Sequence, residues 1–172
     1  MRVDKETEKK LAEQGYTYIV GMKPVIFDGA KTLILGTLPG EKSLELGQYY
    51  ADRRNKFWSL MADIFKIQCP VSIKDKEAFL KEHKIALWDV YHDGYRKGSS
   101  DKDGIKYGTP NKIKELMKKY PTIKNIVVVS KAAKKEYLSS QKLDIEPIFV
   151  TSTSGGNGWF NRQKQSWYEI DY

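Results

Sequence analysis

Residues 33–58 read LILGTLPGEKSLELGQYYADRRNKFW, a stretch that changes character twice. The short apolar run 31–36 is halted by Gly36, as a buried strand would be. Gly36 and Gly40 admit backbone conformations closed to other residues, and Pro39 stiffens the turn between them. Beyond the turn, apolar residues recur at 57, 58, 60, 61, 64 and 65, which is one face of a helix over 55–65. Between turn and helix stand Tyr49, Tyr50, Arg53, Arg54 and Asn55, more aromatic and cationic side chains than a connection requires. Phe57 and Trp58 lie on the helix and are expected in the core.

The strand–loop–helix pattern continues outward. KIALWDV (84–90), KNIVVVS (124–130) and PIFVTS (147–152) read as further buried strands. Helices are expected over 4–14, over 74–82 behind acidic Asp75 and Glu77, and over 131–140. Thr109 is expected to cap another, with Pro110 at its first position and an end near Lys119. A last helix is expected from Phe160. The segment 91–108, YHDGYRKGSSDKDGIKYG, has no periodicity and reads as a long loop. Strands alternating with helices, over connections too long for hairpins, predict an α/β chain whose parallel sheet is covered on both faces. One domain is expected over 1–172, with 1–30 as an N-terminal extension packed on the core. Ligands of such sheets bind beyond the carboxyl ends of the strands, which singles out the loops 36–55, 91–108 and 152–159.

Composition narrows the function classes. The formal charge of +8 and pI near 9.3 favour a polyanionic partner, of which nucleic acid is the usual one, although solvated lysine-rich faces give the same balance. Cys69 is the single cysteine, so neither an internal disulfide nor a cysteine-ligated zinc or iron–sulfur site can form within one chain. His83 and His92 have no carboxylate spacing suited to a metal, and no metal is expected. The charged start, MRVDKETEKKLAEQ, lacks the apolar segment of a signal peptide, and no apolar run reaches membrane-spanning length. A cytoplasmic monomer is expected.

Three constellations carry chemistry. The amides of GTLPG, 36–40, are free to face an anion or a base oxygen, although a turn alone would account for the motif. In QYYADRRNKFW, Tyr49 and Tyr50 offer ring faces on which a base can stack. There Arg53, Arg54 and Lys56 suit phosphates, and Asn55 suits a base edge, a water or a helix cap. In TSTSGGNG, 151–158, hydroxyls and glycine amides suit successive phosphates, and Asn157 suits a base. Trp159 and Phe160 suit either a wedge between bases or an anchor for the last helix. Asp89, at a strand end, is placed to read a base, orient a neighbour or cap a turn. Ser43, His92 and Asp89 supply the residue types of a hydrolytic triad, but no nucleophile-elbow spacing accompanies them.

Taken in order, ILGTLPG, SLELGQYYADRRNKFW, ALWDVYHDGYRKGSSD, VVVSKAAKKEY and VTSTSGGN resemble the uracil-DNA glycosylase superfamily, and within it the hypoxanthine-DNA (deoxyinosine) glycosylases of family 6. The resemblance covers roughly 31–168 and is most specific in its first block. It implies a three-layer α/β/α sandwich around a four-stranded parallel sheet. It also implies a monofunctional glycosylase without metal or cofactor that starts base excision repair, acting on DNA at the nucleoid. Leu38 falls where mismatch-specific relatives carry a catalytic asparagine, and the resemblance gives that role to Asn55. It puts Gly36, Thr37, Leu38, Pro39, Gly40, Tyr50 and Asp89 around the flipped base, with Tyr50 stacked on it. It puts Arg53, Arg54, Ser152, Thr153, Ser154 and Asn157 on the DNA. Arg53 and Gly155 both stand where the family usually has proline, and Gly155 predicts a looser second loop. A DNA-binding module that has lost its chemistry is the alternative reading.

Overall fold

The structure, a computed structural model, describes residues 2–98, 104–141 and 143–172. Its helices are α1 (Lys5–Glu13), α2 (Glu41–Leu46), α3 (Phe57–Phe65), α4 (Ile73–Glu82), α5 (Ile113–Lys119), α6 (Lys131–Ser140), α7 (Phe160–Gln163) and α8 (Gln165–Tyr168). Its strands are β1 (Tyr16–Val20), β2 (Thr32–Gly36), β3 (Ile85–Asp89), β4 (Tyr91–Lys97), β5 (Lys106–Pro110), β6 (Asn125–Val129) and β7 (Ile148–Val150).

The core is a four-stranded parallel sheet in the order β3-β2-β6-β7. After their first residues, Thr32 and Asn125, its inner strands have no polar side chain, because both faces are covered. Alternate residues feed two cores. Ile34, Ile85, Leu87, Val127 and Val129 face one layer with Phe57, Trp58 and Met61 of α3, Phe79 and Leu80 of α4, and Phe160 and Trp167. Leu33, Leu35, Ala86, Ile126 and Val128 face the other, with Ile113 of α5 and Ala133 and Tyr137 of α6. This is the α/β/α sandwich. Phe57 and Trp58 are buried in the first core as their spacing predicts. Local signals support the elements: Ser72 and Asp75 form a reciprocal capping box at the start of α4, a device worth about 1 kcal/mol. Among the described residues, no helix is long and apolar enough to cross a membrane.

The segment 91–108 is not simply a loop. Its described parts form β4 and β5, which join β1 in a second, antiparallel sheet of order β1-β4-β5; residues 99–103 lie outside the described residues. Apolar alternation is missing because, beside the buried Tyr95, two of the buried side chains here are polar: Asp93 and Arg96 are 6% and 1% exposed. Thr109 and Pro110 belong to β5 and do not open a helix. The Thr109 hydroxyl donates to Asp93 Oδ1 at 2.7 Å, and α5 begins at Ile113. Thr109 is instead paired with Asp93 across the sheet, four residues ahead of α5 and out of reach of its first turn. From the first thirty residues, β1 pairs with β4, and Val25 bridges to Leu87 at the edge of the parallel sheet.

Candidate active site

The chain leaves β2 for β3 on one side of the sheet and later reaches β6 on the other, so the carboxyl ends of β2 and β6 flank a topological switch point. The loops after both strands meet there: Thr37 Oγ1 lies 3.3 Å from Ser130 Oγ. Ser130 holds φ at +113°, a conformation costly for any residue with a side chain. Its hydroxyl caps α6 by accepting from Ala133 N at 3.2 Å, and its own N–H donates to Val150 O at 3.3 Å, tying in β7. A serine between strand and helix was a visible capping signal in the sequence; its contact with Thr37 was not.

The first loop is held from the side of β4. Val90 N donates to Gly36 O at 2.9 Å and Tyr91 N to Thr37 O at 3.2 Å. The buried Arg96 donates from Nη1 to Leu38 O at 3.1 Å and from Nη2 to Pro39 O at 2.8 Å. Leu38 and Pro39 are themselves buried, and Gly40 stands at the start of α2. Nothing in sequence spacing links Arg96 to this loop. The same holds for a second pair of buried amides. Asn111 Nδ2 donates to the carbonyls of Asp89 and Tyr91, each at 2.9 Å, and Gln141 Nε2 donates to Asn111 O at 3.0 Å. Together they fix the backbone on both sides of Val90 and so the position of Asp89.

Asp89 is 4% exposed and lies directly over Gly36, where an added Cβ would stand 2.5 Å from its Oδ1. Gly36 is thus required by close approach. Gly36→Ala is expected to push the carboxylate aside, lowering stability by about 1–3 kcal/mol, as overpacking does. A lowered thermal midpoint checks this.

Tyr50 has φ at +55°, strained for a bulky residue. Its ring stacks on Phe57 at 3.9 Å and 13°, so at most its opposite face is left for a base. Desolvation, with the Asp89 charge second, pushes its hydroxyl above the ordinary tyrosine range. Tyr49 does not offer a stacking face: it is 6% exposed, with its hydroxyl on Lys23 O at 3.3 Å and its carbonyl accepting from Trp58 Nε1 at 3.2 Å. Both tyrosines pack on the same core, Tyr49 within it and Tyr50 at its partly exposed edge.

Asn55 is half-buried, and its Oδ1 accepts from Phe57 N at 3.0 Å, closing the first turn of α3. A carbonyl oxygen has two acceptor sites, so this bond leaves one for a water, and Nδ2 has no acceptor among the described residues. Beside it, Asp52 grips Arg54 through Nη2 at 2.8 Å and Nε at 3.2 Å. These side-chain bonds, followed by the Arg54 backbone N–H, hold the Asp52 carboxyl down at about 2. Arg54 is thus clasped by Asp52 yet exposed, as Arg53 is.

The second loop, 151–159, packs against the first. Lys56 N donates to Thr153 O at 2.9 Å. Thr153 is 1% exposed, and its hydroxyl has no hydrogen-bond partner among the described residues. Asn157 turns inward: Nδ2 donates to Thr151 Oγ1 at 3.0 Å and Ser152 O at 2.7 Å, and Oδ1 accepts from Trp159 N at 3.1 Å. The hydroxyls of Ser152 and Ser154 accept from Ser154 N and Gly156 N. Thr153 and Asn157, expected on the DNA, therefore shape the loop from within, while Ser154 is exposed and Ser152 half-buried. Phe160 is the anchor, buried in the core, and Trp159 is 60% exposed. Gly155 does not loosen this loop: a Cβ there would stand 2.5 Å from Arg54 Cβ and 2.9 Å from Arg54 O, so its absence lets the loops close. Gly155→Ala is expected to part them, costing about 1–3 kcal/mol. Gly155→Pro should do no better, since its ring adds atoms where Arg54 already stands. Thermal midpoints of both variants check this.

Comparison with known proteins adds an independent line. The family model of the uracil DNA glycosylase superfamily matches residues 24–170. A hypoxanthine DNA glycosylase of Methanosarcina barkeri is 31% identical over 151 residues, covering 87% of this chain and 95% of the relative. One of Methanosarcina acetivorans is 30% identical over 152 residues, covering 87% and 94%. The solution NMR structure of a candidate uracil DNA glycosylase from Methanosarcina acetivorans superposes with a TM-score of 0.77 at 28% identity, covering 90% of this chain and 96% of that one.

Proposed function

The chain belongs to the uracil DNA glycosylase superfamily and is a DNA glycosylase of that lineage, and on that premise we propose that it releases a deaminated base, hypoxanthine or uracil, flipped out of DNA. It acts as a monofunctional enzyme and starts base excision repair. The observation that carries this reading is the junction of the two loops beside Asn55, where Lys56 N meets Thr153 O and Gly155 meets Arg54. That junction joins a half-buried polar turn to an exposed edge bearing Arg53, Ser154 and Trp159.

Extrusion unstacks the target base, and Tyr50 stacks on it through the ring face that Phe57 leaves uncovered. Arg53 and Ser154 hold the strand. The C1′–N bond then breaks, and its electron pair leaves with the base. Deaminated bases hold that pair better than their amino parents, which suits a site without a strong base. Amides of the 37–40 loop receive the negative charge. Asn55 accepts a hydrogen bond from a water through its second lone pair and holds that oxygen against the cationic sugar. The oxygen bonds to C1′, the water's proton ends on the base, and an abasic site remains. An amide is too weak to deprotonate water early, so bond breaking runs ahead of attack.

One observation favours a second reading, a DNA-binding module without chemistry. Leu38, which the resemblance sets at the place of the catalytic asparagine of mismatch-specific members, is apolar and 7% exposed, and the Asn55 oxygen already accepts from Phe57 N. Labelled oligonucleotides with one hypoxanthine or one uracil, single- and double-stranded, decide between the two. Alkali-dependent strand breakage at the lesion supports the glycosylase; lesion binding without breakage supports the module.

A further inference from the structure

The seam between α3 and the last two helices holds an open cavity of about 200 Å³. Lys56, at the start of α3, and Lys164, between α7 and α8, line it together with Asn161 and the rings of Phe160 and Tyr168. Both lysines are half-buried, and neither forms an ion pair among the described residues. By contrast, Lys10, Lys42, Lys66 and Lys112 each pair with a carboxylate three or four residues away. Lys56 Nζ lies instead 4.8 Å from the centroid of the Phe160 ring, and Lys164 Nζ 5.8 Å from that of Tyr168. A ring face attracts a cation but does not neutralise it. Any lysine stem covers apolar surface in this way; here two stems from different elements converge on one cavity.

Asp63 is the carboxylate of this wall, and it is already engaged. It accepts from the Tyr168 hydroxyl and pairs with Lys66 Nζ at 3.3 Å. These two partners, with Lys164 contributing less, hold its carboxyl below the ordinary range. One negative charge therefore stands against those of Lys56, Lys66 and Lys164, and the seam stays positive. It also adjoins the loop junction. Lys56 follows Asn55 and donates from its N–H to Thr153 O at 2.9 Å, and Phe160 follows the second loop. Neighbouring Cα atoms are about 3.8 Å apart, so a nucleotide placed at Asn55 brings its flanking phosphates to this seam.

We propose that the seam is a phosphate subsite, in which Lys56 and Lys164 clamp one backbone phosphodiester of the DNA strand beside the extruded nucleotide, with Asn161 supplying a neutral donor. This rests on the reading that the chain acts on DNA, and it carries the strand beyond Arg53 and Ser154. An anion between two half-buried amines gives them charge-assisted hydrogen bonds in place of the water they have lost. Neutralising the phosphate also releases condensed counterions, which makes the contact salt-dependent.

The test measures binding to a duplex bearing one tetrahydrofuran abasic analogue, which has no base to lose. It compares wild type, Lys56→Gln, Lys164→Gln, the double variant and, as control, Lys118→Gln. Lys118 is exposed in the last turn of α5, in the opposite layer. The slope of log K against log salt should become shallower by about 0.9 in the double variant, the worth of one phosphate. It should change by less in each single variant and not at all in Lys118→Gln. A loss of folded protein shifts log K equally at every salt concentration and does not imitate this change. One neutral methylphosphonate, walked along the strand, then locates the phosphate. At one position near the analogue it should weaken wild-type binding and leave the double variant unaffected. An unchanged slope in the double variant, an equal change in Lys118→Gln, or methylphosphonate losses that add to the lysine losses at every position overturns the subsite. If the wild type binds no DNA at all, the reading on which the subsite rests fails first.

Discussion

Asn55→Ala is expected to slow base release by about 10²–10⁴-fold, the usual worth of a positioned proton acceptor. DNA binding should persist, because the side chains assigned to the strand are Arg53 and Ser154. The substitution also removes the Oδ1–Phe57 N bond that closes the first turn of α3, which costs about 1 kcal/mol. That structural cost is small beside the kinetic one, so the two effects are separable. Asn55→Asp is the control: a carboxylate still accepts from Phe57 N and suits the positive end of a helix. Single-turnover rates, binding by anisotropy and thermal midpoints of both variants provide the check. Release by Asn55→Ala at the wild-type rate would remove Asn55 from the chemistry.

Trp167→Ala is expected to have the largest effect on the fold. Trp167 is fully buried, meets Phe57 edge-on at 6.0 Å and 73°, and donates from Nε1 to Thr151 O at 2.8 Å. Truncating a buried tryptophan costs about 3–5 kcal/mol, a large share of a domain's roughly 5–15. The loss falls on the site as well, since Thr151 begins the second loop and Phe57 supports Tyr50. Trp167→Phe keeps much of the packing but leaves the Thr151 carbonyl without its donor. It should cost about 1–3 kcal/mol, and chemical denaturation resolves the two variants. An unchanged midpoint in Trp167→Ala would mean that the last helices are dispensable to the core.

The parallel sheet was legible because burial on both faces leaves short β-branched and aliphatic runs that little else imitates. KTLILG and KNIVVVS are such runs, and they became the two inner strands. The α3 face was equally plain, since a helix packed on a sheet needs apolar residues at helical spacing. The antiparallel sheet was hidden because, apart from Tyr95, the buried side chains of β4 are polar. Asp93 and Arg96 resemble loop residues until their partners, Thr109 and the Leu38–Pro39 carbonyls, are brought to them. Tyr49 and Tyr50 illustrate the same limit, as neighbours of one type whose burial and roles part only when Lys23 and Phe57 come into contact with them.

By itself, the sequence determined the layers, the strands of the sheet and the loops at their carboxyl ends, because hydrophobic periodicity and glycine–proline turns are local properties. Only the tertiary structure decided which polar groups work inward and which outward. It set Arg96 behind the first loop, Ser130 against Thr37 and Gly155 against Arg54. Each of these pairs joins residues far apart in the chain, and the forces that hold them act through distance in space, which residue order does not display.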